Sequence, residues 1–111
     1  MTNGEIALQD TNSGKCDMDY LFQILGSRWN LLIIWHLSRQ TLRFTELQKR
    51  LGDVHSKTIT SHLRELEKCH IIKRAVFPEV PPRVEYSLVA QDSFLPVFAA
   101  IKQWGKSLQQ P

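Results

Sequence analysis

At 111 residues, 42% of them hydrophobic and three of them tryptophan, the chain has the size of one packed domain and not the composition of a disordered one. Its longest strongly apolar run, LLIIW at 31–35, falls far short of the roughly 20 residues that a bilayer crossing requires, which argues against a membrane partner. The net charge of +3 is unevenly placed: residues 1–20 carry −3, residues 21–91 carry +5 and the last twenty +1. The basic body favours an anionic partner, nucleic acid most simply, although an excess of this size also occurs in proteins that bind nothing charged.

Residues 1–15, MTNGEIALQDTNSGK, are polar and read as a flexible N-terminal arm; they have neither the basic stretch nor the apolar block of a secretion signal, which points to the cytoplasm. A short helix is expected from about Asp17 to Leu25, with Asp17 or Asp19 near its N-terminus and Leu21, Ile24 and Leu25 turned inward. Gly26 and Ser27 break it. A second helix, from about Arg28 to Ser38, is apolar around most of its circumference, as a central core helix should be, and His36 within it reads as a hydrogen-bonded group rather than a catalytic one. TLRF at 41–44 is a short extended link. TELQKRLG then forms a third helix, with Thr45 as N-cap, Phe44, Leu47 and Leu51 as buried contacts and Gly52 just past its end.

The segment SKTITSHLRELEKCH at 56–70 forms a fourth helix with Ser56 as its N-cap. At 100° per residue Ile59, Leu63 and Leu66 share one narrow sector, while Lys57, Ser61, Arg64 and Lys68 occupy the opposite one with Thr58 and Thr60 beside them. Two helices joined by a turn, the second with a basic polar face, form a helix-turn-helix. Beyond it the period changes to two. IIKRAVF and RVEYSLV are strands of a hairpin, with Val84, Tyr86 and Leu88 facing one way and Arg83, Glu85 and Ser87 the other. The prolines of PEVPP at 78–82 cannot join a ladder, so they form the hairpin's tip. A final helix from about Asp92 to Gln109 carries Phe94, Val97, Ile101, Trp104 and Leu108 in a stripe suited to pairing with another helix.

This order gives a mainly α (α+β) fold: a winged helix-turn-helix with a two-stranded wing and terminal dimerisation helices, occupying residues 16–111. The blocks ILGSRWNLLIIWHL, RFTELQKRL, TSHLRELE and above all PEVPPRVEYSL resemble, in the same order, the HxlR-type transcriptional regulators of bacteria, across about residues 16–105. The resemblance implies a small homodimeric repressor or activator that places a winged helix on a palindromic operator, with terminal helices forming the dimer contact. It also implies a role for Cys16, at the position where sensors of oxidants and electrophiles in this family carry their reactive cysteine. Two departures stand out: Cys69 and His70 follow the recognition helix where the family has an acidic residue and glycine, and SLVAQDSFLP lacks the glycine usual before the last helix.

On this reading Lys57, Thr58, Thr60 and Ser61 reach base edges in double-stranded DNA, and Arg64 reaches a base or a phosphate. The plain alternative is a solvated face, with Arg64 and Lys68 satisfying Glu65 or the helix's C-terminal carbonyls. Lys68, at the far end, reads as a solvated charge. Arg83 at the base of the wing loop can clasp a phosphate or enter a minor groove, against a surface ion pair with Glu79 or Glu85. Arg28, Arg43, Lys49 and Arg50 are candidates for backbone contacts. Lys15 and the following helix lower the pKa of Cys16 while Asp17 and Asp19 raise it, so thiolate activation by a small electrophile or oxidant does not follow from sequence alone. Cys69 reads as a small buried residue. His62, Cys69 and His70 raise a metal-responsive alternative, without a further ligand spaced to complete a tetrahedral set. A winged helix used as a protein-interaction module is the other alternative. No cofactor motif, phosphate loop or nucleophile and base pair suggests an enzyme.

Overall fold

The computed structural model describes residues 18–109, so the N-terminal arm, Cys16 and Asp17 lie outside the described residues. Helix α1, Met18–Leu25, buries Ile24 and half-buries Leu21 and Leu25. It stops at Gly26, whose N–H donates to the Phe22 carbonyl at 2.8 Å and where a Cβ would approach that oxygen to 2.9 Å. Ser27 then caps α2, Arg28–Arg39, by accepting the Asn30 N–H at 3.4 Å. Ile33, Ile34 and Leu37 make α2 the centre of the core, in contact with α1, the recognition helix, the sheet and the last helix.

The link after α2 is a two-residue strand, β1, Leu42–Arg43, that runs into α3, Phe44–Arg50. This helix begins earlier than the sequence suggested. Thr45 lies inside it, and the start is held by the Glu46 carboxylate, which accepts the Arg43 N–H at 2.8 Å. Its end is a Schellman turn: Gly52 at φ 92° donates to the Lys49 carbonyl (3.0 Å), and Asp53 at φ 56° donates to that of Gln48 (2.9 Å). The Gln48 amide donates onward to the Val54 carbonyl at 2.8 Å, tying the turn to α3.

That turn delivers His55, not Ser56, to the cap of α4, Ser56–Lys68, where its Nδ1 accepts the Lys57 N–H at 3.1 Å. Ser56 is already helical. Ile59, Leu63 and Leu66 are buried, as the wheel requires. At the far end His70, at φ 63°, takes the left-handed position, with His70 N–H on the Glu67 carbonyl and Ile71 N–H on that of Leu66, each 3.0 Å. The unusual His70 thus occupies the site where glycine is the ordinary solution.

Strands β2, Ile72–Phe77, and β3, Arg83–Leu88, pair antiparallel from Ile72↔Leu88 to Phe77↔Arg83. The sheet has three strands rather than two, because β1 lies on the other edge of β3 with Leu42 opposite Tyr86 and Arg43 opposite Glu85. The link expected over 41–44 is extended at Leu42–Arg43, whereas Phe44 already belongs to α3. What periodicity over two residues cannot show is that the link has a ladder partner. Tyr86 and Leu88 complete the core beneath α2.

Helix α5, Gln91–Gln109, packs on α2 near its start, where Phe98 meets Trp35 edge-on at 5.4 Å and Phe94 lies 6.2 Å from Phe98. Phe94 therefore belongs to this chain's own core margin rather than to the free stripe. Val97, Ile101, Trp104 and Leu108 remain 46%, 50%, 65% and 65% exposed. No described helix is long and apolar enough to cross a membrane.

Candidate nucleic-acid interface

The outward face of α4 presents Lys57, Ser61, Arg64 and Lys68 to solvent, with Thr58 and Thr60 half-buried along its flanks. The groups able to absorb these charges are occupied by others. Glu65 accepts the buried Asn30 amide at 3.1 Å. The carbonyls of Glu65, Leu66 and Glu67 are taken by the N–H groups of Cys69, Ile71 and His70. Among the described residues Lys57, Arg64 and Lys68 form no ion pair. A helix face with three uncompensated cations interleaved with hydroxyls has the chemistry of a surface for an anion lattice.

One cation was missed by sequence reading. Arg74 stands opposite Tyr86 in the ladder, so it projects from the same face of the sheet toward α4. There it lines a groove of about 230 Å³ with Thr60, Arg64, Glu67 and Tyr86, its Nε 3.7 Å from the Glu67 carboxylate. The alternation used to orient β3 would have found it had it been carried across to β2. Burial raises the Tyr86 phenol above its ordinary pKa, so it stays a neutral hydroxyl beside the two arginines.

At the wing, Arg83 is held on three sides. Its Nη2 and Nε donate to one Glu79 oxygen at 2.8 and 3.2 Å, its Nη1 donates to Glu85 at 2.6 Å, and its guanidinium carbon lies 4.0 Å over the Phe77 ring. The side chain is thus oriented but charge-compensated. Beyond it, Val80 is fully exposed at the tip. Arg43 joins Thr45, Glu79 and Arg83 around a groove of about 450 Å³ at the wing's foot. Arg28, Lys49 and Arg50 are exposed on the helices. Arg50 also lies near His36, whose pKa is lowered from the ordinary imidazole value first by burial and then by Arg50 and Arg39.

The suggested metal ligands do not converge. His62 Nδ1 lies 2.9 Å from the Asn30 side-chain oxygen, Cys69 is buried, and His70 is exposed past the helix end. Among the described residues no three His, Cys, Asp or Glu side chains come together to hold a metal ion.

Comparison with known proteins gives the same assignment as the geometry. The profile of the HxlR-like helix-turn-helix family matches residues 24–111. An uncharacterized HTH-type transcriptional regulator of Halalkalibacterium halodurans is 38% identical over 100 residues, covering 88% of this chain and 84% of that one. Among solved structures, the reduced form of the transcriptional regulator YodB from B. subtilis matches with a TM-score of 0.75 at 32% identity, over 91% of this chain and 98% of the other. The redox regulator HypR in its reduced form matches with a TM-score of 0.70 at 31% identity, over 80% and 89%. The chain belongs to the HxlR-like helix-turn-helix family and is a winged-helix, DNA-binding transcriptional regulator.

Proposed function

We propose that this regulator acts in the cytoplasm as a homodimer on a palindromic operator, with the N-terminal half of α4 in the major groove. Lys57, Thr58, Thr60 and Ser61 then read base edges, while Arg64 reads a base or grips a phosphate. Arg74 adds a phosphate contact from β2. Arg83 serves the wing, exchanging the Glu79 carboxylate for a phosphate as DNA arrives. The observation that carries the reading is the cationic face of α4 with its own acids and carbonyls already committed elsewhere. The exposed stripe Val97, Ile101, Trp104 and Leu108 supports pairing through α5, which sets two recognition helices about one helical turn of DNA, ~34 Å, apart.

Regulation passes through Cys16. Two such thiols, one from each protomer, can lose two electrons and two protons to an oxidant and form a disulfide, or each can be alkylated by a small electrophile. Either changes the spacing of the recognition helices. The likeness to a protein described as a redox regulator supports this assignment. The test is binding of the purified protein to its own upstream DNA, reduced and after a mild thiol oxidant, beside Cys16→Ser. Loss of binding on oxidation in the wild type alone is expected. Oxidant-insensitive binding would retain the regulator and remove Cys16 as its sensor, whereas no binding in any state would overturn the upstream operator.

A further inference from the structure

Asn30 is fully buried on the first turn of α2, where three helices meet on its side chain. Its amide nitrogen donates to the Ile24 carbonyl of α1 at 2.8 Å and to Glu65 Oε1 of α4 at 3.1 Å. With both N–H groups used in this way, the side-chain oxygen can only accept, so the His62 Nδ1 at 2.9 Å carries the proton between them. His62 and Glu65 lie one turn apart on α4, and each directly follows a residue of the exposed face, Ser61 and Arg64.

Apolar contacts alone leave such a helix some freedom to roll. Ile59, Leu63 and Leu66 can slide on their neighbours at little cost, whereas hydrogen bonds weaken steeply off line. A roll of about 10° moves an atom ~6 Å from the axis by roughly 1 Å, and recognition needs placement within about 0.5 Å. We propose that Asn30 is a positioning residue for DNA recognition: through His62 and Glu65 it fixes the rotation of α4 about its own axis, and it ties that rotation to the end of α1. The proposal rests on the reading that the face of α4 contacts DNA. It also gives a displacement of α1 a direct path to the base-reading side chains.

Asn30→Leu removes all three bonds while keeping the number and branching of the side-chain heavy atoms. The half-exposed His62 and Glu65 can turn to water, and the Ile24 carbonyl keeps the Ser27 N–H at 3.3 Å. The probes are a duplex selected from a random pool by the wild-type protein and an unrelated duplex of equal length. Each protein is titrated well below its own Tm with its active fraction fixed by stoichiometric binding. Affinity for the selected duplex should fall about tenfold while that for the unrelated duplex, which is set by phosphates, stays unchanged. His62→Ala should lose less, and should add nothing when combined with Asn30→Leu. A lower Tm with unaltered selectivity would make Asn30 a core group only and overturn the proposal, as would an equal loss on both duplexes. If Asn30→Leu does not fold, His62→Ala decides, and unchanged selectivity there overturns it. A combined Lys57→Ala and Ser61→Ala variant, at two positions assigned to base edges, separates the two readings: if it leaves selectivity untouched, the face of α4 does not read DNA and the failure lies in that reading.

Discussion

His70 and Asp53 hold left-handed backbone, φ 63° and 56°, at the ends of the two helices of the helix-turn-helix. For a residue with a Cβ this conformation costs about 1–2 kcal/mol, while glycine's extra freedom in the unfolded chain takes back roughly 0.5–1. His70 is exposed and beyond the last core contact of α4, so little packing opposes the exchange. His70→Gly should therefore raise the unfolding free energy by about 0.5–1 kcal/mol, read as a higher urea midpoint at unchanged slope. A lower midpoint would mean that the imidazole makes a compensating contact. The sequence showed that this position departs from its relatives, and the structure shows how the departure is accommodated: the same two backbone bonds form around a less suitable residue. His36 acts on stability in another way. Its folded pKa lies below the ordinary value of about 6.5, so below that pH the unfolded chain binds more protons and the native state loses stability as pH falls through the lowered value. His36→Gln should flatten the decline in Tm as pH falls below about 6.5, and an unchanged slope would assign the acid sensitivity to other groups.

The elements α4, β2 and the wing contribute to DNA binding in distinguishable ways. Arg64 stands on the helix face assigned to the major groove, so Arg64→Ala should weaken binding to a selected duplex by about 1–3 kcal/mol with loss of preference at one position of the site. Arg74→Ala, on the strand behind, should weaken all duplexes alike and reduce the slope of log affinity against log salt by about 1. An effect of Arg74 confined to one sequence would contradict its assignment to phosphate. The wing gives the opposite sign. Glu79 holds Arg83 through two of its five N–H donors, and its charge repels phosphate. Glu79→Gln should tighten duplex binding and steepen its salt dependence, and weaker binding would mean that Glu79 holds Arg83 in its productive geometry. At this scale much was legible in the sequence. The apolar stripe of α4 and the alternation of β3 each came from a period sustained over several turns or residues. Gly52 was legible as the residue past the end of α3, but the N-caps were not, because His55 and Glu46 act through turn geometry that no period records, and β1 was seen as extended but not as paired.

On the scale of the whole molecule, the core accounts for one side of every helix but leaves a long apolar edge on α5. Phe94 and Phe98 turn inward to α2, and the angle between them and Val97, Ile101, Trp104 and Leu108 is small on the wheel, so the sequence joined Phe94 to a stripe from which packing separates it. The remaining four residues alternate at steps of four and three and are half or more exposed, apart from Val97 at 46%. A stripe with that spacing is a helix-pairing seam, and an exposed apolar patch of this kind is seldom left to water. Trp104→Glu places a carboxylate in its middle without touching the chain's own core. The variant should remain folded, run at monomer mass by sedimentation at micromolar concentration, and bind a two-half-site duplex no better than a single half-site, because the avidity of linked half-sites is lost. Dimer mass with undiminished binding would place the pairing surface elsewhere. Monomer mass with undiminished binding would show that one winged helix suffices for recognition, and then an intersubunit disulfide at Cys16 could not act by respacing two of them.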